Sequence, residues 1–502
     1  MINDRFITYF RENCFQNNEA ELQKFLTAIQ KPILRTIRIK PGKVEQVKKN
    51  LETDGWVLTS TSIDEVFVMD RRADFNPLER RLGFSMDHLL GNFYIQELAA
   101  AHPVDILADH TKHLEQQKFS QKGSILNAEG VPKGIVYNNT VNDKTEGQKQ
   151  KTSFLENFLI LDMAASPGGK TTQLAEYYPN SFIIANEPTR ERLPQLLQNL
   201  ERMGNGNIGI TLYPGQLYRH QIELFDRVLL DAPCSGEGTL FKGTDAVKHW
   251  HLKNIREIAR LQTKLLDAAL HTLKVNGEMI YSTCSLNLIE NEGVLEAMSE
   301  KYGDAFEIIF QKKFWPHIDG TGGFFVAKIR KTKSLLSSSK NTKDQDISEK
   351  SGNEWKKSEP KFQITNNKEL RLFRGNISPW QCQNGVTLYE HENKILALRN
   401  DEIGEKIRER VFLMRYGEQI GVVDHGKFVV SNRTWRYLDM ADTIQYIISN
   451  EGEIDRYLRG ETIESSGSDE YILIIYLGQI LGLEYRKGNI ISNTFSHEWR
   501  RK

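Results

Sequence analysis

Cysteine is scarce in this 502-residue chain, which has only Cys14, Cys234, Cys284 and Cys382. No two stand in a C-x-x-C spacing. That argues against a zinc site or a disulfide framework and suits a reducing cytosol. Net charge is absent as well, because 66 Lys and Arg balance 66 Asp and Glu. A nucleic-acid partner must therefore be argued from local patches. Long apolar runs are missing too. The longest, Tyr471-Ile-Leu-Ile-Ile-Tyr-Leu-Gly478, falls far short of the about 20 residues that span a bilayer. No membrane association is expected, and the polar, charged stretch Met1–Asn13 does not read as a signal peptide. Chain length allows about three or four domains, and a hydrophobic content of 39% fits a soluble protein with polar insertions.

Against that scarcity, the placement of two cysteines is informative. Asp231-Ala-Pro-Cys-Ser-Gly-Glu-Gly238 follows the apolar run Arg227-Val-Leu-Leu230, and Ser282-Thr-Cys-Ser285 follows Glu278-Met-Ile280. Short apolar runs bounded by turn residues read as buried strands of a parallel sheet. Ligands of such sheets bind outside the carboxyl ends of the strands. Cys234 and Cys284 would then lie over one crevice. A lone cysteine after a strand is more often a small buried hydrophobe, but the pair with Asp231 and two glycines is a far more specific pattern.

Along the chain, residues 1–85 read as a small α+β unit. Helices are expected at 19–29 and 44–51, and strands at 34–40 and 65–69. Lys31, Arg35, Arg38, Lys40, Lys43, Lys48 and Lys49 face a single Glu45 between residues 31 and 50. They form either a phosphate-contacting strip or an ordinary solvated face. Gly91–Ala100 reads as a helix start, packed on the sheet or forming a stacking lip over the crevice. Residues 108–152 are a polar insertion, with one hairpin expected near 130–137. Strands at 158–162, 182–187, 208–213, 226–231, 277–282 and 323–329 alternate with helices at 171–178, 189–203, 254–274 and 287–301. That alternation predicts a doubly wound α/β sheet over 86–333. A Ser/Lys/Asn/Glu-rich linker follows at 334–360. Residues 361–502 read as a β-rich module with strands at 411–414, 427–430 and 471–476. Its end mixes Arg486, Lys487, Arg500, Arg501 and Lys502 with Phe495 and Trp499, which suits RNA or a capping tail equally.

The first strand of the sheet opens Asp162-Met-Ala-Ala-Ser-Pro-Gly-Gly-Lys-Thr171. Small residues let backbone approach a ligand, and the next helix offers its N-terminus. Glu187, about 20 residues past the glycines, stands where this architecture places a ribose-binding carboxylate. The loop nearly matches the phosphate-binding G-x-x-x-x-G-K-T pattern. It departs at Ala164, and Pro167 removes an amide that such a loop should donate. A nucleotide hydrolase is therefore not the expected reading.

At these residues the chain resembles the Nop/Sun family of RNA (cytosine-5) methyltransferases. Asp162–Thr171 resembles the S-adenosylmethionine loop, Asp231–Gly238 the fourth motif, Ser282–Ser285 with Glu290-Asn-Glu292 the sixth, and Gly322–Arg330 the closing strand. Arg35-Thr-Ile-Arg-Ile39 and Phe93-Tyr-Ile-Gln-Glu97 resemble its N-terminal RNA-facing motifs. Arg456–Ile463 and Gln479–Leu483 resemble the PUA-like module of one bacterial branch, the small-subunit ribosomal RNA methyltransferase F group. Two departures stand out. Tyr213-Pro-Gly-Gln216 lacks the family's third-strand carboxylate, and Ser492–Arg500 replaces its closing tail.

The resemblance implies a Rossmann-like methyltransferase sheet between a small N-terminal α+β domain and a C-terminal β-rich PUA-like domain. It implies an S-adenosylmethionine-dependent enzyme that methylates carbon 5 of a cytidine, in small-subunit rRNA rather than tRNA, in the cytoplasm. Cofactor contacts carry over to Ala164, Ala165, Ser166, Pro167, Gly168, Gly169, Lys170, Glu187 and Asp231. Cys284 takes the nucleophile's role, Cys234 product release and Asp231 the ring-nitrogen contact. Lys170, or a helix starting near Asn287, is expected to lower the Cys284 pKa. A non-catalytic RNA-binding assembly factor is the alternative from another class, and a monomer is the default.

Overall fold

The computed structural model describes residues 2–72, 82–109, 157–242, 250–335, 371–372, 380–408, 410–411, 413–425 and 427–495. The expected hairpin at 130–137, nearly all of the 108–152 insertion and of the 334–360 linker, and Trp499, Arg500, Arg501 and Lys502 lie outside them.

The N-terminal sheet has the order β2-β3-β1-β4, from β1 (Arg35–Ile39), β2 (Trp56–Ser60), β3 (Val66–Arg71) and β4 (Phe93–Ile95). Helix Val44–Thr53 buries Val47 and Leu51, one helical turn apart, and both pack into the cluster under this sheet. Phe93–Ile95 was expected at a helix start. Instead it pairs antiparallel with β1, and the helix begins at Leu98 after a cap from Glu97 to Ala100 N. Its aromatic and branched residues fit a pleated surface. The N-terminal sheet thus reaches past residue 85.

Among the described residues the main sheet has eight strands, lying side by side in the order Phe306–Phe314, Phe324–Lys331, Leu273–Thr283, Phe225–Asp231, Leu159–Asp162, Phe182–Asn186, Ile208–Thr211 and Arg415–Tyr416. Its parallel part is β5 (Leu159–Asp162), β6 (Phe182–Asn186), β7 (Ile208–Thr211), β8 (Phe225–Asp231) and β9 (Leu273–Thr283). Every residue of β5 is buried, as expected for a strand covered on both faces. Order reverses between β5 and β8, and a crevice opens outside the strand ends at such a point. Helix Leu193–Met203 has Pro194 in its first turn and buries Leu193, Leu196, Leu200 and Met203. It stops at Gly204, whose φ of +67° is left-handed.

β10 (Phe306–Phe314) and β11 (Phe324–Lys331) complete the far edge antiparallel. The sequence reading missed β10 because a bulge between Ile308 and Phe310 breaks its alternation.

Among its described residues the C-terminal region holds two five-stranded sheets. One runs β12 (Arg371–Leu372), β13 (Val386–His391), β14 (Lys394–Arg399), β16 (Glu418–Asp424) and β17 (Lys427–Val430). The other has the order β18-β20-β21-β22-β19, from β18 (Ile444–Ile447), β19 (Ile463–Glu464), β20 (Glu470–Tyr476), β21 (Gln479–Lys487) and β22 (Ile490–Ile491). The strand expected at 411–414 forms later, as β15 (Arg415–Tyr416), and joins β7 of the main sheet. Val411 and Leu413 are buried in the main-sheet core, and Met414 N donates to Ile210 O at 2.7 Å. Their apolar signal was real, but it is spent on docking rather than on a ladder of the module's own.

Candidate active site

The ends of β8 and β9 are in register, with Asp231 opposite Ser282. Both loops therefore leave the sheet side by side. Ala232 N donates to Ser282 O (2.8 Å), Gly238 N to Cys284 O (2.9 Å) and Gly323 N to Gly238 O (3.0 Å). A Cβ on Gly238 would lie 1.8 Å from the Gly323 carbonyl oxygen, so only glycine permits this approach. The result is the predicted juxtaposition: Cys234 Sγ and Cys284 Sγ are 3.1 Å apart, both partly exposed.

Asp231 sits beside them. Its Oδ2 accepts from Lys170 Nζ (2.7 Å) and its Oδ1 from Ser282 Oγ (2.9 Å). Burial works against the charge on Lys170. Asp231, then Asp162 and Cys284, outweigh it and raise the Lys170 pKa, so the ammonium persists. The Cys234 thiol is pushed up, first by its hydrogen bond with Cys284, then by burial and by the charges of Cys284, Glu290 and Asp231. Cys234 thus holds its proton beside Cys284.

The expected helix N-terminus does not support Cys284. The helix begins at Glu292, and the free amides of Leu286 and Asn287 donate instead to Glu237 Oε2, each at 3.0 Å. Lys170 remains as the nearby cation.

The loop after β5 is tightly tied. Gly168 N donates to Ala165 O (2.7 Å), Ala165 N to Asn186 O (2.8 Å), Arg192 Nη2 to Ser166 O (2.8 Å) and Asn199 Nδ2 to Pro167 O (2.9 Å). Gly168 has φ +104° and opens helix Gly169–Tyr177. Ala164, Ala165 and the glycines leave backbone at the crevice without bulky side chains. Glu187 is buried at the end of β6. Its Oε1 accepts from Thr189 N, and its Oε2 faces Arg192 at 3.4 Å without accepting a hydrogen bond. That free acceptor, the small loop and the helix start fit a nucleoside-bearing cofactor.

Sequence reasoning missed two features. Asn186, at the end of β6, ties down the start of the loop that lacks the third-strand carboxylate: its Nδ2 donates to Met163 O and Tyr213 O (both 3.0 Å), and its Oδ1 accepts from Thr211 Oγ1 (2.9 Å) and Tyr213 N (3.1 Å). One amide sews three strand ends together, and the only signal was its position just before Glu187. The second is a pair of fully buried carboxylates behind the thiols, Glu237 and Glu290, bridged by Asn287. Burial, then the neighbouring Glu290, raise the Glu237 pKa.

The basic strip of residues 31–50 is not one surface. Arg38 is fully buried. It donates to Glu176 Oε2 (3.0 Å), Thr172 Oγ1 (2.9 Å) and Gly169 O (2.8 Å), and bonds Gln96. Lys40 reaches the Met203 carbonyl, and burial lowers its pKa to about 8. Lys31, Arg35, Lys43 and Lys49 stay exposed. The expected lip is likewise structural at two positions. Gln96 is buried against Arg38 and Gln173, and Glu97 accepts from Ala100 N and Gly322 N. At the C-terminal end, Arg486 is taken up by Glu470 (2.5 Å) and Phe495 is core, while Lys487 is exposed.

Residues 153–330 match the family model described as 16S rRNA methyltransferase RsmB/F, and residues 449–501 match the methyltransferase RsmF PUA domain. A curated relative from Shewanella oneidensis, named ribosomal RNA small subunit methyltransferase F, is 28% identical over 95% of this chain and 93% of its own length. A relative of the same name from Escherichia coli O9:H4 is 28% identical over 99% of this chain and 96% of its own. Among solved structures, that of PH0851 gives a TM-score of 0.51 at 23% identity over 66% of each chain, a likeness of fold.

Proposed function

We propose, from the matches of residues 153–330 to the RsmB/F methyltransferase model and of residues 449–501 to the RsmF PUA model and from the near-full-length relatives, that the chain methylates carbon 5 of a cytidine in small-subunit rRNA through a covalent cysteine adduct. The observation that carries this reading is the pair of thiols 3.1 Å apart beside Asp231 and Lys170. S-adenosylmethionine, when bound, supplies the electrophilic methyl group. Ala164–Lys170, Glu187 and Asp231 are the residues that would hold it.

Carbon 5 of cytosine is a weak nucleophile. In the proposed reaction the Cys284 thiolate bonds to carbon 6, and the C5–C6 π pair becomes available at carbon 5. Asp231 is assigned the ring-nitrogen edge, where charge develops, and Lys170 holds Asp231 in place. Carbon 5 takes the methyl group. Its proton then leaves, the C5–C6 double bond re-forms, and the C6–S bond breaks to return the Cys284 thiolate. Cys234 is assigned this last stage. The base has to be unpaired or flipped out to reach the crevice, and the PUA-type module with the exposed N-terminal lysines supports an RNA partner. A reducing cytoplasm keeps two adjacent thiols from joining.

The test is Cys234→Ala expressed in cells and purified under denaturing conditions. Covalently attached RNA is expected, and sequencing it names the target. Cys284→Ala should abolish it. A folded Cys234→Ala protein free of RNA refutes the covalent route. A tRNA adduct moves the substrate assignment to tRNA.

A further inference from the structure

Glu290 is a fully buried carboxylate whose oxygens have no Lys or Arg partner among the described residues. Its Oε2 accepts from Ser235 N (2.9 Å) and Gln262 Nε2 (2.9 Å). Its Oε1 accepts from Ser285 Oγ (3.1 Å) and Asn287 Nδ2 (2.7 Å). Ser235 and Ser285 are the residues that follow the two cysteines, so a single carboxylate grips both cysteine loops. Gln262 also donates to Pro233 O at 2.9 Å, so the Cys234 loop is held on either side of the thiol. The Glu290 backbone is itself fixed. Its carbonyl accepts from Tyr281 OH (2.6 Å), and its amide donates to Asn287 Oδ1 (2.9 Å). A buried anion without a cation is costly, and four donors, three from the two loops and one from Gln262 on helix Leu252–Thr272, are what keep it there.

We propose that Glu290 is the positioning residue of the two-thiol centre, locking the Cys234 loop to the Cys284 loop so that Cys234 can resolve the adduct formed on Cys284. The proposal rests on the covalent reading above. While Cys284 is free, its hydrogen bond is the first cause that keeps Cys234 protonated. Once Cys284 Sγ is bonded to carbon 6, that cause is gone, while burial and the charges of Glu290 and Asp231 still favour the thiol and make any thiolate that forms a strong base. Cys234 then releases its proton to water, and its thiolate takes the proton from carbon 5. The C–H pair re-forms the C5–C6 double bond, and the C6–S pair departs with Cys284. The charge of Glu290 keeps the Cys234 thiolate basic enough for that transfer. Methyl transfer itself needs only Cys284, Asp231 and Lys170, none of which Glu290 touches.

Glu290→Gln keeps the shape but places an amide where two donors require an acceptor, and it removes the charge. Its expected signature is a split. Single-turnover transfer of labelled methyl to the RNA captured by Cys234→Ala stays within about threefold of the unsubstituted protein. Multiple turnover falls by about 10²-fold, the low end for a positioned proton-transfer group. A Cys284-dependent protein–RNA species accumulates on denaturing gels. Ser285→Ala cuts the same tie at the Cys284 side while leaving the Glu290 charge in place, and should accumulate the species too, to a lesser extent. Normal turnover in both variants overturns the proposal. So does loss of methyl transfer and adduct together, the signature of a structural role. No adduct in Cys234→Ala refutes the covalent reading itself. An adduct there but none in Glu290→Gln or Ser285→Ala refutes only the role of Glu290.

Discussion

Arg38 belongs to the N-terminal sheet, yet its guanidinium ends inside the methyltransferase unit. Substituting Arg38→Met tests what that insertion does. The side chain is fully buried, as is that of its partner Glu176, with an Nε–Oε2 distance of 3.0 Å. Removing the cation leaves an uncompensated carboxylate, and leaves the Gly169 carbonyl, the Thr172 hydroxyl and the Gln96 amide oxygen each short of a donor. Breaking a buried pair in this way costs about 3–5 kcal/mol. At about 2–4 °C per kcal/mol for a unit of this size, the thermal midpoint should drop by roughly 10 °C. Because Gly169 opens the helix proposed to hold the cofactor, the Kd for S-adenosylmethionine should rise as well. Thermal unfolding and calorimetric titration measure both. The double variant Arg38→Met/Glu176→Leu should cost less than the sum of its parts, since it removes the orphaned charge. A midpoint within about 2 °C of the unsubstituted protein, with unchanged cofactor affinity, refutes the idea that the N-terminal unit braces the cofactor loop.

Two further outcomes are expected. Burial holds the Asp162 carboxyl protonated up to about 7, although Thr171 donates to it. The unfolded chain releases that proton near pH 4, so this contribution to stability is present at low pH and is lost as pH rises toward 7. Urea midpoints of the unsubstituted protein should fall across that window relative to Asp162→Asn; a constant difference between the two refutes the assignment. Gly238→Ala should abolish soluble catalytic protein or cost several kcal/mol, on the order of other backbone clashes that cannot relax. The new Cβ meets a carbonyl of the neighbouring strand's lead-in rather than a flexible side chain. Retention of the full thermal midpoint in that variant runs against the close approach described here.

What the sequence determined by itself was local and periodic. Buried runs such as Leu159–Asp162 and Val228–Leu230 had one sensible home, a sheet covered on both faces. Turn residues then fixed which ends carried Cys234, Cys284, Asp231 and Lys170. The glycine loop and Glu187 followed from the same strand–helix alternation. Tertiary structure decided everything that depended on what packs from far along the chain. Arg38 and Lys40 looked like surface cations because charge in a sequence does not reveal the Glu176 or Met203 carbonyl waiting 138 or 163 residues away. Residues 411–414 read as a strand of the last module, yet the apolar side chains of Val411, Leu413 and Met414 are worth more against the edge of the main sheet, where Met414 meets Ile210. Glu290 was visible as a motif residue, but its role arises only when two loops 50 residues apart are brought to one carboxylate. Periodicity records which face is buried; it carries no record of the partner that buries it, and at this site the partners set the charges.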